Sequence, residues 1–307
     1  MMTFLKSNVG FTPLERWEPG CWINVTGPGE EDVRYLTREM KVPDSFLQDI
    51  EDVDERSRLE VEDEWTLMIL RIPYKVDDSI PFITVPLGFI LKEDVVITVC
   101  HYRTEMIPDF VLYANRKNLR ISCSWDLLFR LFLSSSVWYL KYLKQISAQM
   151  GTAERELERS IRNEELQRLL KIEKSLVFFI TSLQGNDNLL VRMKNLKSQR
   201  RFFDEDLVED VEIEQRQAQD TVRIYSDILS STMDAYASVI SNNLNIVMKR
   251  MTSVSIILML PTLIASLYGM NVPNSLEKNA WGFAIVILVS ILFSVVGYLF
   301  FRWRRWL

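Results

Sequence analysis

The sequence has one histidine, His101, and three cysteines, Cys21, Cys100 and Cys123, with no CxxC spacing. A zinc finger or a His/Cys metal centre needs a clustered ligand set, so this scarcity excludes both. The odd, scattered cysteines fit a reducing compartment and thiols packed among apolar neighbours. There is no GxxxxGK loop, and Gly27-Pro28-Gly29 reads as a turn rather than a phosphate cradle. The start, MMTFLKSNVGF, lacks the apolar core and small-residue cleavage site of a secretory leader. An excess of positive charge is missing too. Of 36 Lys and Arg residues six lie from Lys249 onward, against one of 41 acids, which leaves 30 basic and 40 acidic residues in 1–248, a net of −10. Such a surface is unsuited to nucleic acid and attractive to cations.

Proline is absent from most of the chain: eight of the ten lie at or before Pro108, and none falls between Pro108 and Pro261. The first third is therefore broken and turn-rich. Its segments 21–25, 64–72, 82–85, 87–91 and 95–100 are rich in β-branched and aromatic residues and predict strands. Pro86, between the third and fourth of these, suggests an edge position or a break. Segments 30–40 and 44–50 predict helices, the second following Pro43 with Asp44 as its cap. The reading is an α/β domain over 1–120. From 125 to 183 the apolar residues recur at helical spacing, and Gly151 and Gly185 predict breaks. Two antiparallel helices, 125–150 and 152–184, fill a second segment, 121–185.

Residues 186–260 contain neither Gly nor Pro. A single helix through them and on into the apolar region beyond, roughly 80 residues, would run on the order of 120 Å. Alone in water it would not hold, because helices of this length are stabilised by packing. The predicted partner is another copy of the chain. Alternating steps of four and three along it select Asp234, Ser238, Ser241, Asn245, Met248, Thr252, Ser255, Met259, Thr262 and Ser266, a heptad seam. An ordinary seam is Leu and Ile; this one is hydroxyls, amides, one acid and two Met side chains.

Two uncharged runs, 251–276 and 279–301, close the chain. Each exceeds the ~20 residues needed to cross a bilayer as a helix. Lys249 and Arg250 precede the first run and Arg302, Arg304 and Arg305 follow the second, whereas the loop between holds Lys278 beside Glu277. The positive-inside bias places both ends in the cytoplasm. Trp303 and Trp306 read as interfacial anchors. Segments 186–250 and 251–307 are thus a stalk helix and a transmembrane hairpin. The polar seam runs into the first span, where small polar residues either let helices pack closely or line a water-filled pore.

The turn after the first span reads Tyr268-Gly269-Met270-Asn271. With the second span, the tail Arg304-Arg305-Trp306-Leu307, the stalk from Asp234 and the amino-terminal runs Trp22 to Gly27 and Pro43 to Ile50, it resembles the CorA-type magnesium transporters over nearly the whole chain. The resemblance implies a funnel-shaped homopentamer: an α+β cytoplasmic domain, a long helical stalk and two transmembrane helices, the first of them around a pore. It implies that Gly269, Met270 and Asn271 form the entrance filter, that Met259 and Thr262 line the pore below it, that Asp234 forms an acidic ring and that Met248 forms an apolar constriction. Asp49 and Asp210 match acids that hold a regulatory Mg2+ between subunits. The implied cargo is Mg2+, with Co2+ or Ni2+ as further permeants. The zinc-transporting branch of the same superfamily is the nearest alternative, and a membrane-tethered sensory or scaffold protein is the alternative of another kind. No enzyme activity is implied, and the expected location is a bacterial or archaeal plasma membrane. Ser266, Pro261 and the loop 272–278, where Lys278 offsets Glu277, depart from the family pattern and bear on ion preference and rate.

Overall fold

Among the described residues seven strands form one mixed sheet in the computed structural model, which describes residues 1–76, 80–93, 95–159, 163–196, 204–270 and 281–306. The strands are β1 (Met2–Ser7), β2 (Phe11–Leu14), β3 (Trp22–Thr26), β4 (Arg58–Glu62), β5 (Trp65–Lys75), β6 (Phe82–Lys92) and β7 (Val95–Cys100), in the order β2-β1-β3-β7-β6-β5-β4. Every neighbouring pair is antiparallel except β3 and β7. The chain divides into two units, Met1–Ser230 and Ser231–Leu307.

Pro86 does not break its strand, contrary to expectation, and β6 is not at an edge. It lies opposite Arg71 of β5, while β7 pairs with β6 only from Gly88 to Lys92. A residue without an N–H therefore removes no bond from the β6–β7 ladder, which is the condition for proline inside a sheet.

The first helical segment, α1 (Glu30–Arg34), widens into one π-helical turn, Tyr35–Glu39, and α2 (Asp44–Glu51) follows. Pro43, not Asp44, occupies the N-cap position of α2; Asp44 is its first residue, where a carboxylate favours the positive end of the helix dipole. Leu36, Phe46 and Ile50 pack with Ile23, Val25, Ile69 and Ile97 of the sheet in one buried cluster. Burial of side chains of this size contributes about 1.5–3 kcal/mol each. The contact is so close at β6 that a Cβ on Gly88 would overlap Ile50 Cδ1. Alternation along β3 sends Trp22 to the other face, where its ring meets Phe11 and Phe110 of α3 (Met106–Lys117).

Two long helices, α4 (Ser124–Arg159) and α5 (Asn163–Lys194), pack on each other and on β5 and β6. They are antiparallel, with Tyr139 against Phe179 toward one end and Arg168 bonded to Glu156 toward the other. Neither expected glycine break occurs. Helix α4 runs through Gly151, and α5 runs through Gly185 and Asn186 to Lys194. A glycine inside a helix costs about 1 kcal/mol, which packing readily offsets. At Gly185 the missing side chain admits Ser57, whose Oγ would sit 3.2 Å from a Cβ there.

The last long helix of this unit, α6 (Glu205–Tyr268), starts well after residue 186 and ends in the second unit. Its first part is docked by Gln215, which donates to Leu183 O at 2.8 Å and accepts from Ser136 Oγ at 3.0 Å. In the second unit α6 continues past Pro261 and is followed by α7 (Gly282–Trp303). Both are long and apolar enough to cross a membrane, and their most apolar stretches are 6% and 0% buried within the chain. At ~1.5 Å per residue the 22 residues of α7 match a hydrocarbon layer of ~30 Å.

Candidate ion pathway and regulatory acids

In the second unit α7 lies along one face of α6. A Cβ on Gly297 would stand 3.3 Å from Leu260 Cδ1 and 3.6 Å from Ile257 Cγ1, and an apolar cleft beside it is lined by Pro261, Ala265 and Tyr268 of α6 and by Ser290 and Ser294 of α7. At 100° per residue, Thr252, Ser255, Met259, Thr262 and Ser266 centre about 160° around α6 from these α7-facing positions. The polar stripe therefore occupies the face that the chain itself leaves uncovered. All five are exposed, as are Asp234, Asn245 and Met248 farther toward the amino end. Met248 and Met259 are 55% and 68% exposed, so neither fills an internal core.

The hydroxyls on this helix are partly satisfied by the helix itself. Thr262 Oγ1 donates to Leu258 O at 3.1 Å and Ser238 Oγ donates to Asp234 O at 3.0 Å. Each spends its proton on the preceding turn and keeps oxygen lone pairs. Repeated around an axis, such oxygens would receive the water shell of a cation without stripping it. Helix α6 ends at Tyr268; the Gly269 N–H still donates to Ala265 O at 3.0 Å, and a Cβ on Gly269 would crowd that oxygen at 3.3 Å. Met270 is 54% exposed. Asn271, the third member of the expected filter, lies outside the described residues, as do Glu277 and Lys278.

The two expected regulatory acids sit on separate elements of the first unit. Asp49 is near the end of α2 and half-buried; Asp210 is near the start of α6 and exposed. Their oxygens suit a hard cation such as Mg2+, and the pairing that the resemblance implies is between neighbouring subunits. Within one chain Asp49 accepts from Arg58 Nη2 at 2.6 Å. Among the described residues, no three His, Cys, Asp or Glu side chains gather as a metal centre. His101 is half-buried, and burial lowers its pKa below the usual histidine range. Cys21 and Cys100 are buried.

Sequence reasoning missed the groups that hold Asp49 in place. The Arg71 guanidinium is buried and donates to Val53 O, to Glu55 O at 2.9 Å and to Thr84 O at 2.6 Å, so it fixes the loop between α2 and β4. Ser57 of that loop donates to Asn186 Oδ1 at 2.7 Å, which ties it to α5. Arg58 and Asp49 stand nine residues apart across a loop, a spacing that carries no periodic signal.

The same fold and chain organisation recur in known proteins. The family described as "CorA-like Mg2+ transporter protein" is matched over residues 17–305. The cobalt/magnesium transport protein CorA of Methanocaldococcus jannaschii is 26% identical over 296 residues, covering 93% of this chain and 91% of the relative. The complete structure of the magnesium transporter CorA from Methanocaldococcus jannaschii superposes with a TM-score of 0.84 at 22% identity, covering 98% of this chain and 97% of that one. The cytoplasmic domain of ZntB from Vibrio parahaemolyticus shares the fold with a TM-score of 0.63 at 11% identity, covering 78% of this chain and 98% of its own. With a family match across almost its whole length, an α+β domain, a long helix and two candidate spans, the chain belongs to the CorA-like Mg2+ transporter family.

Proposed function

We propose that the protein is a passive channel for hydrated divalent cations, Mg2+ first, assembled as a homopentamer in the plasma membrane with both termini in the cytoplasm. The observation that carries this reading is the stripe of hydroxyl and Met side chains on the face of α6 turned away from α7. Five copies of that face around an axis give a wet, uncharged conduit, with Gly269, Met270 and Asn271 at its outer mouth. Mg2+ dehydrates reluctantly, so amide and hydroxyl oxygens that bind its water shell select it without trapping it. Asp234 supplies negative charge on the cytoplasmic side, and Met248 narrows the path there. Co2+ and Ni2+ are candidate further cargoes. Two charges moving down 100 mV of inside-negative potential gain about 4.6 kcal/mol at ~2.3 kcal/mol per charge, so inward movement needs no chemical energy source. Cytoplasmic Mg2+ bound between Asp49 and Asp210 of neighbouring subunits closes the channel, provided that it binds the closed state more tightly than the open one.

The soluble fold shared with ZntB makes Zn2+ the control ion. Purified protein in liposomes, assayed with Mg2+ and with Zn2+ and with or without a proton gradient, should pass Mg2+ in proportion to imposed potential and independently of the gradient. Zn2+ flux that requires the gradient would assign the protein to the zinc-transporting alternative, and absence of any flux would leave an anchored scaffold.

A further inference from the structure

Arg58, the first residue of β4, is shared by three carboxylates. Its Nη2 donates to Asp49 Oδ2 at 2.6 Å, its Nε donates to Glu60 Oε2 at 3.1 Å and its Nη1 donates to Glu55 Oε1. The side chains of Arg58, Asp49 and Glu55 are 29%, 31% and 20% exposed, so these pairs are only partly screened by water. Glu55 in turn is held through its backbone carbonyl by the buried Arg71. The guanidinium thus sits in a fixed acidic bracket of which Asp49 is one arm.

We propose that Arg58 is the resident counter-ion of Asp49 in the metal-free subunit, so that a divalent cation competes with the guanidinium for this carboxylate. The inference rests on the reading of Asp49 and Asp210 as the regulatory pair. Displacement is reversible because Arg58 keeps two partners: on release from Asp49 it remains bonded to Glu55 and Glu60, so the exchange does not strand a cation. An occupied Asp49 oxygen and a nearby positive charge both oppose Mg2+, and Arg58 thereby raises the cytoplasmic Mg2+ concentration at which the subunit boundary locks. Glu55 and Glu60 act in the other direction, drawing the guanidinium away from Asp49. Arg58 is a positioning residue for the regulatory ion, setting the threshold of inhibition. If it merely pinned β4 to α2, its loss would loosen the protein at every Mg2+ concentration without tightening the metal response.

The test is limited proteolysis of the detergent-solubilised full chain, titrated with MgCl2 at fixed ionic strength. Arg58→Gln is expected to lower the Mg2+ midpoint for protection by about threefold to tenfold, the effect of removing one like charge from a part-exposed site. Glu60→Gln leaves Arg58 in place with one competitor fewer and is expected to raise the midpoint about twofold, on the same reasoning about a neighbouring charge. A midpoint in Arg58→Gln equal to or above that of the parent protein would overturn the inference, while loss of protection in Asp49→Asn/Asp210→Asn would keep the regulatory pair itself. Should Arg58→Gln fail to assemble, Glu60→Gln decides: a raised midpoint supports the exchange, and an unchanged or lowered one overturns it. Undiminished protection in Asp49→Asn/Asp210→Asn removes the regulatory pair, and the inference with it.

Discussion

The side-chain amide of Asn186 on α5 holds both backbone groups of Arg71 on β5: its Oδ1 accepts the Arg71 N–H at 2.9 Å and its Nδ2 donates to the Arg71 carbonyl at 2.8 Å. An amide is here used as a neighbouring strand would be, since β4 pairs with β5 only as far as Ile69. Tyr139 adds a third bond, its hydroxyl donating to the same carbonyl at 3.0 Å. Burial pushes the Tyr139 hydroxyl far above its ordinary pKa, so it remains a donor at any working pH.

Asn186→Ala should therefore destabilise the soluble unit by about 2–3 kcal/mol, because a buried N–H loses its partner while the carbonyl keeps Tyr139. Thermal unfolding of the detergent-solubilised protein should show a fall in midpoint. An unchanged midpoint would mean that water replaces the amide at no cost.

Gly88→Ala is expected to cost roughly 1–3 kcal/mol by overpacking, since the new Cβ meets Ile50. Shortening Ile50 to Val removes Cδ1, the nearest crowding atom, and keeps Cγ1, so Gly88→Ala/Ile50→Val should recover part of the loss. If the double variant were less stable than the sum of the two single changes, direct contact would not be the cause.

Asn271→Ala should sharply reduce Mg2+ uptake and leave the oligomeric state by size-exclusion chromatography unchanged, because the amide would serve the hydrated ion and not the soluble fold. Near-normal flux would remove Asn271 from the filter.

Much of this was legible from residue type and spacing, and the misreadings share a cause. The apolar runs of β5 and β7 and the two uncharged spans declare themselves through composition, and the stripe on α6 declares itself through a repeat of 3.5 residues. Pro86, Gly151 and Gly185 were expected to interrupt elements because local propensity is all that a window of sequence contains. Pro86 and Gly185 are overridden by tertiary context, since β7 ends short of Pro86 and Ser57 fills the space beside Gly185, whereas Gly151 stands in open space within a helix carried by its neighbours. Arg58 and Arg71 were invisible for the same reason, since their partners lie on α2, in the loop after it and on β6, brought together only by the fold. The face of α6 that meets α7 also needed coordinates, because apolar residues flank the polar stripe on both sides and α7 is apolar nearly all round.

An ion path along the uncovered stripe of α6 is tested most directly by Mg2+ influx into liposomes carrying Thr262→Cys, before and after a small, water-soluble thiol reagent. Cys21 and Cys100 are buried, with the Cys100 pKa pushed up to about 12, and the half-buried Cys123 is replaced by Ser in every variant to remove its background. Ile285→Cys on α7, outside the stripe, is the control. Modification of Thr262→Cys should block influx while Ile285→Cys neither reacts nor changes it; equal protection of both cysteines, or full flux through a labelled Thr262→Cys protein, would rule the stripe out as the path.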